Sequence, residues 1–392
     1  MKRKYYILTI GLLLTYIGDL IFMTSSAIYI YDKTEDALQV ALIYIVRTTS
    51  SLLLLLFGGS IVDRLNAKKT MVVLDFIRAI LVIIFIMNLN NFSILYFLIF
   101  IHGALGSFYG TALRVVLKYY SDRLGHTFVN QRFSIVFWLG SIIGTYLSGL
   151  IIVKTDYYWP FIIDASTFVL CGIFTMIIYF NQDYTTSVQN KINFYDDIVC
   201  SIKTIKSNSK LNSIVLFNTF ISVLQTAITS FQIFFVSEIL RANSEIYSVI
   251  KSVEMFGLFV GSVSFSYILS RFKHEYNVMN LSVTLIFLSF GVYSIFVNNI
   301  VMAIVLMFIY GIGNTLFDIK STNIIQENID TDVIGRVSNV MGILPKIATI
   351  VTLPIFSLIH NYFGVKTLFI SLTICMLLIF MYFYKNIFVK SI

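Results

Sequence analysis

Residues 70–88 read Thr70-Met71-Val72-Val73-Leu74-Asp75-Phe76-Ile77-Arg78-Ala79-Ile80-Leu81-Val82-Ile83-Ile84-Phe85-Ile86-Met87-Asn88. Apart from Asp75 and Arg78, the run is apolar from Met71 to Met87. About twenty such residues make a helix long enough to cross a hydrocarbon core about 30 Å thick. Lipid offers no partners to backbone polar groups, so a run of this kind must satisfy them internally, as a helix. Comparable runs lie near 6–30, 38–58, 92–116, 133–153, 158–180, 211–236, 246–269, 277–297, 300–322, 337–360 and 365–385. The polar stretch 181–210 divides the twelve runs six and six. The expected fold is an all-α integral membrane protein. It has an N-terminal six-helix bundle over 1–180, a cytoplasmic linker over 181–210 and a C-terminal six-helix bundle over 211–392.

The totals agree with this reading. The chain is 58% hydrophobic and 12% charged, with mean hydropathy +0.86. A soluble chain of this length would need about twice that charge to cover its surface. The first run follows Met1-Lys2-Arg3-Lys4, as a signal peptide would. It is too long, lacks a small-residue cleavage site and precedes eleven more runs, so it counts as a span.

The net charge is +8, and its distribution points to a bilayer rather than to nucleic acid. With the N-terminus in the cytoplasm, segments on that side sum to about +10 and exterior loops to about −2, as the positive-inside rule requires. The cytoplasmic segments carry Lys2, Arg3, Lys4, Arg64, Lys68, Lys69, Lys118, Arg123, Arg132, Lys203, Lys206, Lys210, Lys385 and Lys390, and Asp32, Glu35 and Asp36 lie in the first exterior loop. Both termini are therefore expected in the cytoplasm, in a cell membrane. The abundance of Ile, Asn, Lys and Tyr suits an AT-rich bacterial genome. The three cysteines, Cys171, Cys200 and Cys375, have neither metal-type spacing nor a place in an exterior loop. Neither metal nor cofactor is expected.

Exterior loops are a few residues long, as at Asn88–Asn91 and Asn298-Asn299, so function is expected between the helices. Within the linker, Phe194, Ile198, Ile202 and Ile205 recur at helical spacing opposite Asp196, Asp197, Lys203 and Lys206. That pattern predicts an amphipathic helix along the cytoplasmic interface. The six-plus-six arrangement suggests a duplicated unit, as in many secondary transporters.

Gly59-x-x-x-Asp63-Arg64, followed by Lys68-Lys69, falls on the cytoplasmic turn between the second and third spans. Here the chain resembles the major facilitator superfamily, whose signature at this turn is Gly-x-x-x-Asp-Arg-x-x-Arg-Arg. Ala67 and the two lysines depart from it. The resemblance implies that this cluster latches the cytoplasmic gate when the protein faces outward. Ile17-Gly18-Asp19, Arg47, Leu74-Asp75-Phe76-Ile77-Arg78-Ala79, Phe108-Tyr109-Gly110-Thr111-Ala112-Leu113-Arg114, Phe161-Ile162-Ile163-Asp164-Ala165 and Gly335-Arg336-Val337 look like the macrolide-efflux and siderophore-exporter branch. Gly140-x-x-x-Gly144-x-x-x-x-Gly149 is similar to the antiporter motif of drug exporters, with Thr145 where a proline is usual. Small residues so spaced equally serve close helix packing.

Ionisable side chains at membrane depth cost about 3 kcal/mol or more unless they face a cavity or a partner. Asp19 and Arg47 lie midway along the first two spans, at similar depth, and are expected to face each other. Such a pair couples proton uptake to transport, orients the helices permanently or contacts cargo directly. Lys251 and Glu254, three residues apart on one helical face, form a second candidate pair. His102 and Lys346 are further candidates, while Asp75 and Arg78 are expected to join Arg114 as scaffolding of the cytoplasmic gate. Cargo contacts are sought among Phe22, Met23, Tyr29, Trp138, Asn218, Gln225, Thr226 and Gln232.

No phosphate-binding loop of the Gly-x-x-x-x-Gly-Lys-Ser/Thr kind is present, so energy is expected from an ion gradient. The expected function is proton-coupled efflux (antiport) of an amphipathic small molecule, macrolide-like or siderophore-like, by a monomer. An importer or lipid flippase is the alternative within the class, and a non-transporting sensor or immunity protein is the alternative outside it. An enzyme is not expected, because four scattered histidines and minimal loops offer no gathered catalytic group.

Overall fold

A computed structural model describes residues 1–57, 66–178, 194–207, 209–271, 275–327 and 331–384. Twelve helices follow in chain order among these residues. They are α1 (Lys2–Thr34), α2 (Ala37–Phe57), α3 (Ala67–Met87), α4 (Phe92–Leu124), α5 (His126–Lys154), α6 (Tyr158–Ile177), α7 (Phe194–Ser207), α8 (Ser209–Phe234), α9 (Ser244–Arg271), α10 (Glu275–Phe296), α11 (Ile300–Glu327) and α12 (Thr331–Tyr384). All except α7 are long and apolar enough to cross a membrane. As one rod, the 54 residues of α12 would run about 80 Å, more than twice a hydrocarbon core. Gly364 breaks it, with φ 80° and ψ 165°, so α12 is two helices and supplies two crossings. The protein is an all-α, multi-pass membrane protein.

Contacts divide the chain into two compact units, one of Met1–Glu35 with Leu42–Asn190 and one of Asp36–Ala41 with Lys191–Ile392. In the first, α1 packs against α5 and α6, α6 against α3, and α4 against α3 and α5. Glycines set the closest approach. A Cβ on Gly140 would stand 2.6 Å from Tyr16 Cβ, and one on Gly144 would be 3.0 Å from Ile17 Cα. The Gly140 and Gly144 spacing therefore acts here as a helix-packing seam between α5 and α1, and Gly149 is buried in the same helix.

Near the first turns of α1, Tyr5, Leu8 and Leu12 join Met71, Leu113, Val116 and Tyr120 in a buried cluster. The Tyr5 hydroxyl donates to the Val129 carbonyl at 2.8 Å. Asn66 and Asn91 cap α3 and α4, their side chains accepting from the backbone N–H of Lys69 and Ile94. Outward faces are apolar, as Ile80, Ile83, Ile84 and Met87 of α3 illustrate, which suits contact with lipid tails. Between α5 and α6, Tyr157 donates to Asp32 at 2.8 Å. Burial and the carboxylate it serves push the Tyr157 phenol above its usual range, so it stays a donor.

In the second unit α9 packs on α11, α10 on α11, and α8 and α7 on α12. A Cβ on Gly261 would lie 2.9 Å from the Ile312 carbonyl, and one on Gly311 would be 2.9 Å from Leu258 N, so α9 and α11 meet backbone to backbone. α8 continues into a π-helical turn, Phe235–Ile239. The predicted linker helix is present as α7, with Ser201 and Ile205 buried. Ile202 is exposed.

Candidate functional site

A cavity of about 360 Å³ lies within the first unit. α1 contributes Asp19, α2 contributes Arg47, Thr48 and Ser51, α3 contributes Arg78, and α4 contributes His102, Gly103, Gly106 and Ser107. On α2 and α4 these residues recur at one-, three- and four-residue steps, so each helix turns a single polar face inward. Gly103 admits α2: a Cβ there would be 3.3 Å from Arg47 Cγ and would overlap the Ser50 hydroxyl. Gly106 leaves space in front of the Arg78 guanidinium. The walls are polar and bear two guanidinium groups and one carboxylate.

The charges pair differently from the sequence-based expectation. Asp19 is joined by Arg78 Nη2 of α3, not by Arg47. Arg78 is only 2% exposed, its guanidinium lying 4.0 Å from the centre of the Phe168 ring and 5.8 Å from that of Tyr109. The flat cation is thus clamped between aromatic faces and a carboxylate. Similar depth along two spans did not decide the partner. α1 packs on α6, α6 packs on α3, and that arrangement turns Arg78 towards Asp19. Arg47 lines the same cavity, and His102 Nε2 lies 3.7 Å from Asp19.

Phe22 is not a cavity wall. It is fully buried, stacks on His102 at 4.4 Å between centroids, and packs against Phe85 and Phe161. Its contribution is to fix the imidazole. Tyr29 is likewise structural, its hydroxyl donating to the Leu89 carbonyl at 2.9 Å. Trp138 packs edge-on against Phe137 and is not among the cavity residues. Gln225, in the second unit, donates to Asn314 Oδ1 at 2.7 Å, and Asn218 donates to Ser321 at 3.1 Å, tying α8 to α11.

The expected scaffold of Asp75, Arg78 and Arg114 comes apart. Arg78 belongs to the cavity. Asp75, one turn earlier on α3, is fully buried with neither carboxyl oxygen hydrogen-bonded. Arg114 is exposed and donates to Thr111 of its own helix at 3.0 Å. Gly59, Asp63 and Arg64 lie outside the described residues. Lys68 is visible, and its ammonium donates to the carbonyls of Met176 and Ile178, both at 2.7 Å. It therefore satisfies the orphan carbonyls at the C-terminal end of α6.

In the second unit Lys251 and Glu254 are both buried on α9. The Lys251 ammonium donates to the Tyr247 hydroxyl at 3.0 Å, and its charge acts on Glu254. Near the π-helical turn, Glu238 meets His360 Nε2 of α12 at 3.1 Å. Among the described residues, no three His, Cys, Asp or Glu side chains gather as metal ligands.

Sequence reasoning missed Thr48, Ser51, Gly103, Gly106 and Ser107 as cavity residues. Their signal was present in the small and polar steps that follow Arg47 on α2 and His102 on α4.

Several known proteins resemble this chain. The family model for the Major Facilitator Superfamily matches residues 8–352. No curated protein matches the sequence. Among solved structures, a mutant of nucleoside transporter NupG superposes with TM-score 0.84 at 13% identity, covering 98% of this chain and 100% of that one. A bacterial metal transporter gives TM-score 0.70 at 14% identity, covering 98% of each. A bacterial homologue of the iron transporter ferroportin, in an inward-facing state, gives 0.69 at 13% identity over 98% of this chain and 99% of that one. At such identities the likeness is one of fold.

Proposed function

The chain belongs to the major facilitator superfamily, and from that premise we propose that it exports an amphipathic small molecule in exchange for protons, by alternating access across the cell membrane. The observation that carries this reading is the ionised pair of Asp19 and Arg78 in the wall of a polar cavity. Export, rather than uptake, rests on the resemblance to the macrolide-efflux and siderophore-exporter branch.

Asp19 is the proton-exchanging group in this mechanism. Ionised, it accepts hydrogen bonds from cargo and holds Arg78. Protonated, it loses the charge that held Arg78, and a cargo that needs the carboxylate is displaced. Proton and cargo then exclude each other, as exchange requires. The hydroxyls of Thr48, Ser51 and Ser107 and the guanidinium of Arg47 are suited to the polar end of the cargo. Lys251 and Glu254 form a second pair in the C-terminal bundle. The turn bearing Gly59, Asp63 and Arg64, with Lys68 anchoring the end of α6, closes the cytoplasmic gate. The protein works as a monomer with both termini in the cytoplasm, and residues 181–210 tether two six-helix bundles, 1–180 and 211–392.

One proton entering down a membrane potential contributes about 2.3 kcal/mol per 100 mV. One or two protons sustain a concentration ratio of about 10 to 1,000 for a neutral cargo. A susceptibility screen of deletion and overexpression strains across chemically diverse compounds identifies the cargo. Everted vesicles then test the mechanism: cargo should accumulate on imposing an inward-acid gradient. Asp19→Asn should abolish that accumulation while folded protein remains in the membrane. Full gradient-driven accumulation by this variant would remove Asp19 from the mechanism.

A further inference from the structure

Three carboxyl groups and two guanidinium groups cluster in the first unit, and only one carboxyl is ion-paired there. Asp164 of α6 is fully buried, and neither of its carboxyl oxygens has a hydrogen-bond partner. It is packed on α1 at Gly18, the residue before Asp19. A Cβ on Gly18 would stand 2.5 Å from Asp164 Oδ1 and would overlap the Thr167 hydroxyl. That hydroxyl donates to the backbone carbonyl of Asp164 at 2.7 Å and so does not serve the carboxyl. The charges acting on Asp164 are those of Asp19 on α1, Arg78 on α3 and Arg47 on α2. A carboxylate ion without a donor is intolerable inside a lipid-embedded bundle, whereas the neutral acid forfeits only a hydrogen bond.

Building on the reading of Asp19 as the proton-exchanging group, we propose that Asp164 stores a proton and trades it with Asp19, Arg78 serving whichever of the two is ionised. In the arrangement described, Asp19 is the carboxylate bound to Arg78 and Asp164 is the acid. In the other, the O–H bond of Asp164 breaks, its proton forms an O–H bond on Asp19, and Arg78 passes to the new carboxylate. One proton and one guanidinium–carboxylate pair exist before and after, so the total charge is constant and no co-reactant is needed. The trade can run while the bundle is closed to water. It removes the one carboxylate from the cavity wall, which releases a cargo held by Asp19. Gly18 is what lets Asp164 of α6 lie against the turn of α1 that bears Asp19.

Asp75 supplies a built-in comparison. It is equally buried, but it lies beside Cys171, whose sulfur meets the Tyr109 hydroxyl at 3.5 Å.

Infrared spectroscopy of the full chain in lipid, at neutral pH and without cargo, tests the proposal. Neutral carboxyl groups are identified by the shift of their C=O stretch in heavy water. Asp164→Asn should remove one neutral-carboxyl band completely, and Asp75→Asn should leave that band in place. Asp19→Asn should remove the same band, because Asp164 gives up its proton to replace the lost counter-ion of Arg78. A role in packing alone would not produce that third result. The proposal is overturned if the band survives Asp164→Asn, or if Asp19→Asn leaves it at wild-type strength. The spectrum is independent of transport, so vesicles that export without regard to a proton gradient would sink the exchange reading without touching the bands.

Discussion

Arg78 shows how much one side chain can depend on a single partner. Its guanidinium is out of water, and the Asp19 carboxylate with two aromatic faces replaces its hydration. Removing one member of a buried pair leaves the other uncompensated and costs about 3–5 kcal/mol. Arg78→Met should therefore lower the unfolding temperature in detergent substantially, and adding Asp19→Leu should recover most of that loss. If the double variant were no more stable than the single one, the pair would not be the source of the cost. Arg78→Lys should not restore transport, because a compact ammonium cannot lie flat between Phe168 and Asp19. At this scale the sequence was half legible. It marked Asp19, Arg47 and His102 as costly residues at membrane depth and gave Arg78 to the cytoplasmic gate, but depth does not specify which way a side chain turns. Asp19 was therefore given to Arg47, and Phe22 was read as a cavity wall when it is the platform under His102.

Between helices, small residues determine what can approach, and their context separates one glycine from another. Gly144→Leu would drive a side chain into the Ile17 backbone of α1 and should cost at least about 1–3 kcal/mol, with poor assembly in the membrane. Gly110 of α4 has open space where a Cβ would go. Gly110→Ala should stabilise the helix by up to about 1 kcal/mol, since alanine is the better helix former. Thermal unfolding of the purified variants checks both signs. Lys68→Met frees two carbonyls at the end of α6, and because the lysine is half-buried the loss should stay near about 1 kcal/mol. The spacing of Gly140 and Gly144 suited the antiporter motif and close packing equally, and it is the approach of α5 to α1 that shows the packing role. Helix lengths were not readable: α1, α4 and α5 outrun their apolar segments because a helix continues into the aqueous layer after its hydrophobic stretch has ended.

For the molecule as a whole, the alternation of apolar runs with short loops was enough to reveal an all-helical membrane protein. Period and length govern that feature, and both are local. The cavity was not legible in the same way, because it is assembled from four helices whose rotations depend on their neighbours. Orientation in the membrane is open to test with a natural probe. Cys171 is buried and Cys375 is exposed within α12, whereas Cys200 falls in the polar segment between the two sets of spans. A membrane-impermeant maleimide should label Cys200 in everted vesicles and not in intact cells, and Cys200→Ser should abolish the signal. Labelling in intact cells would place that segment outside and reverse the proposed topology. The torsions of Gly364 also bear on the fate of the chain end. No side chain fits comfortably at φ 80° and ψ 165°, so glycine is what permits the helix to break there. Were the rod to continue, one of the two crossings of α12 would be lost, and the proposed placing of both termini in the cytoplasm would fail. That proposal thus turns on one hydrogen atom standing where every other residue carries a carbon.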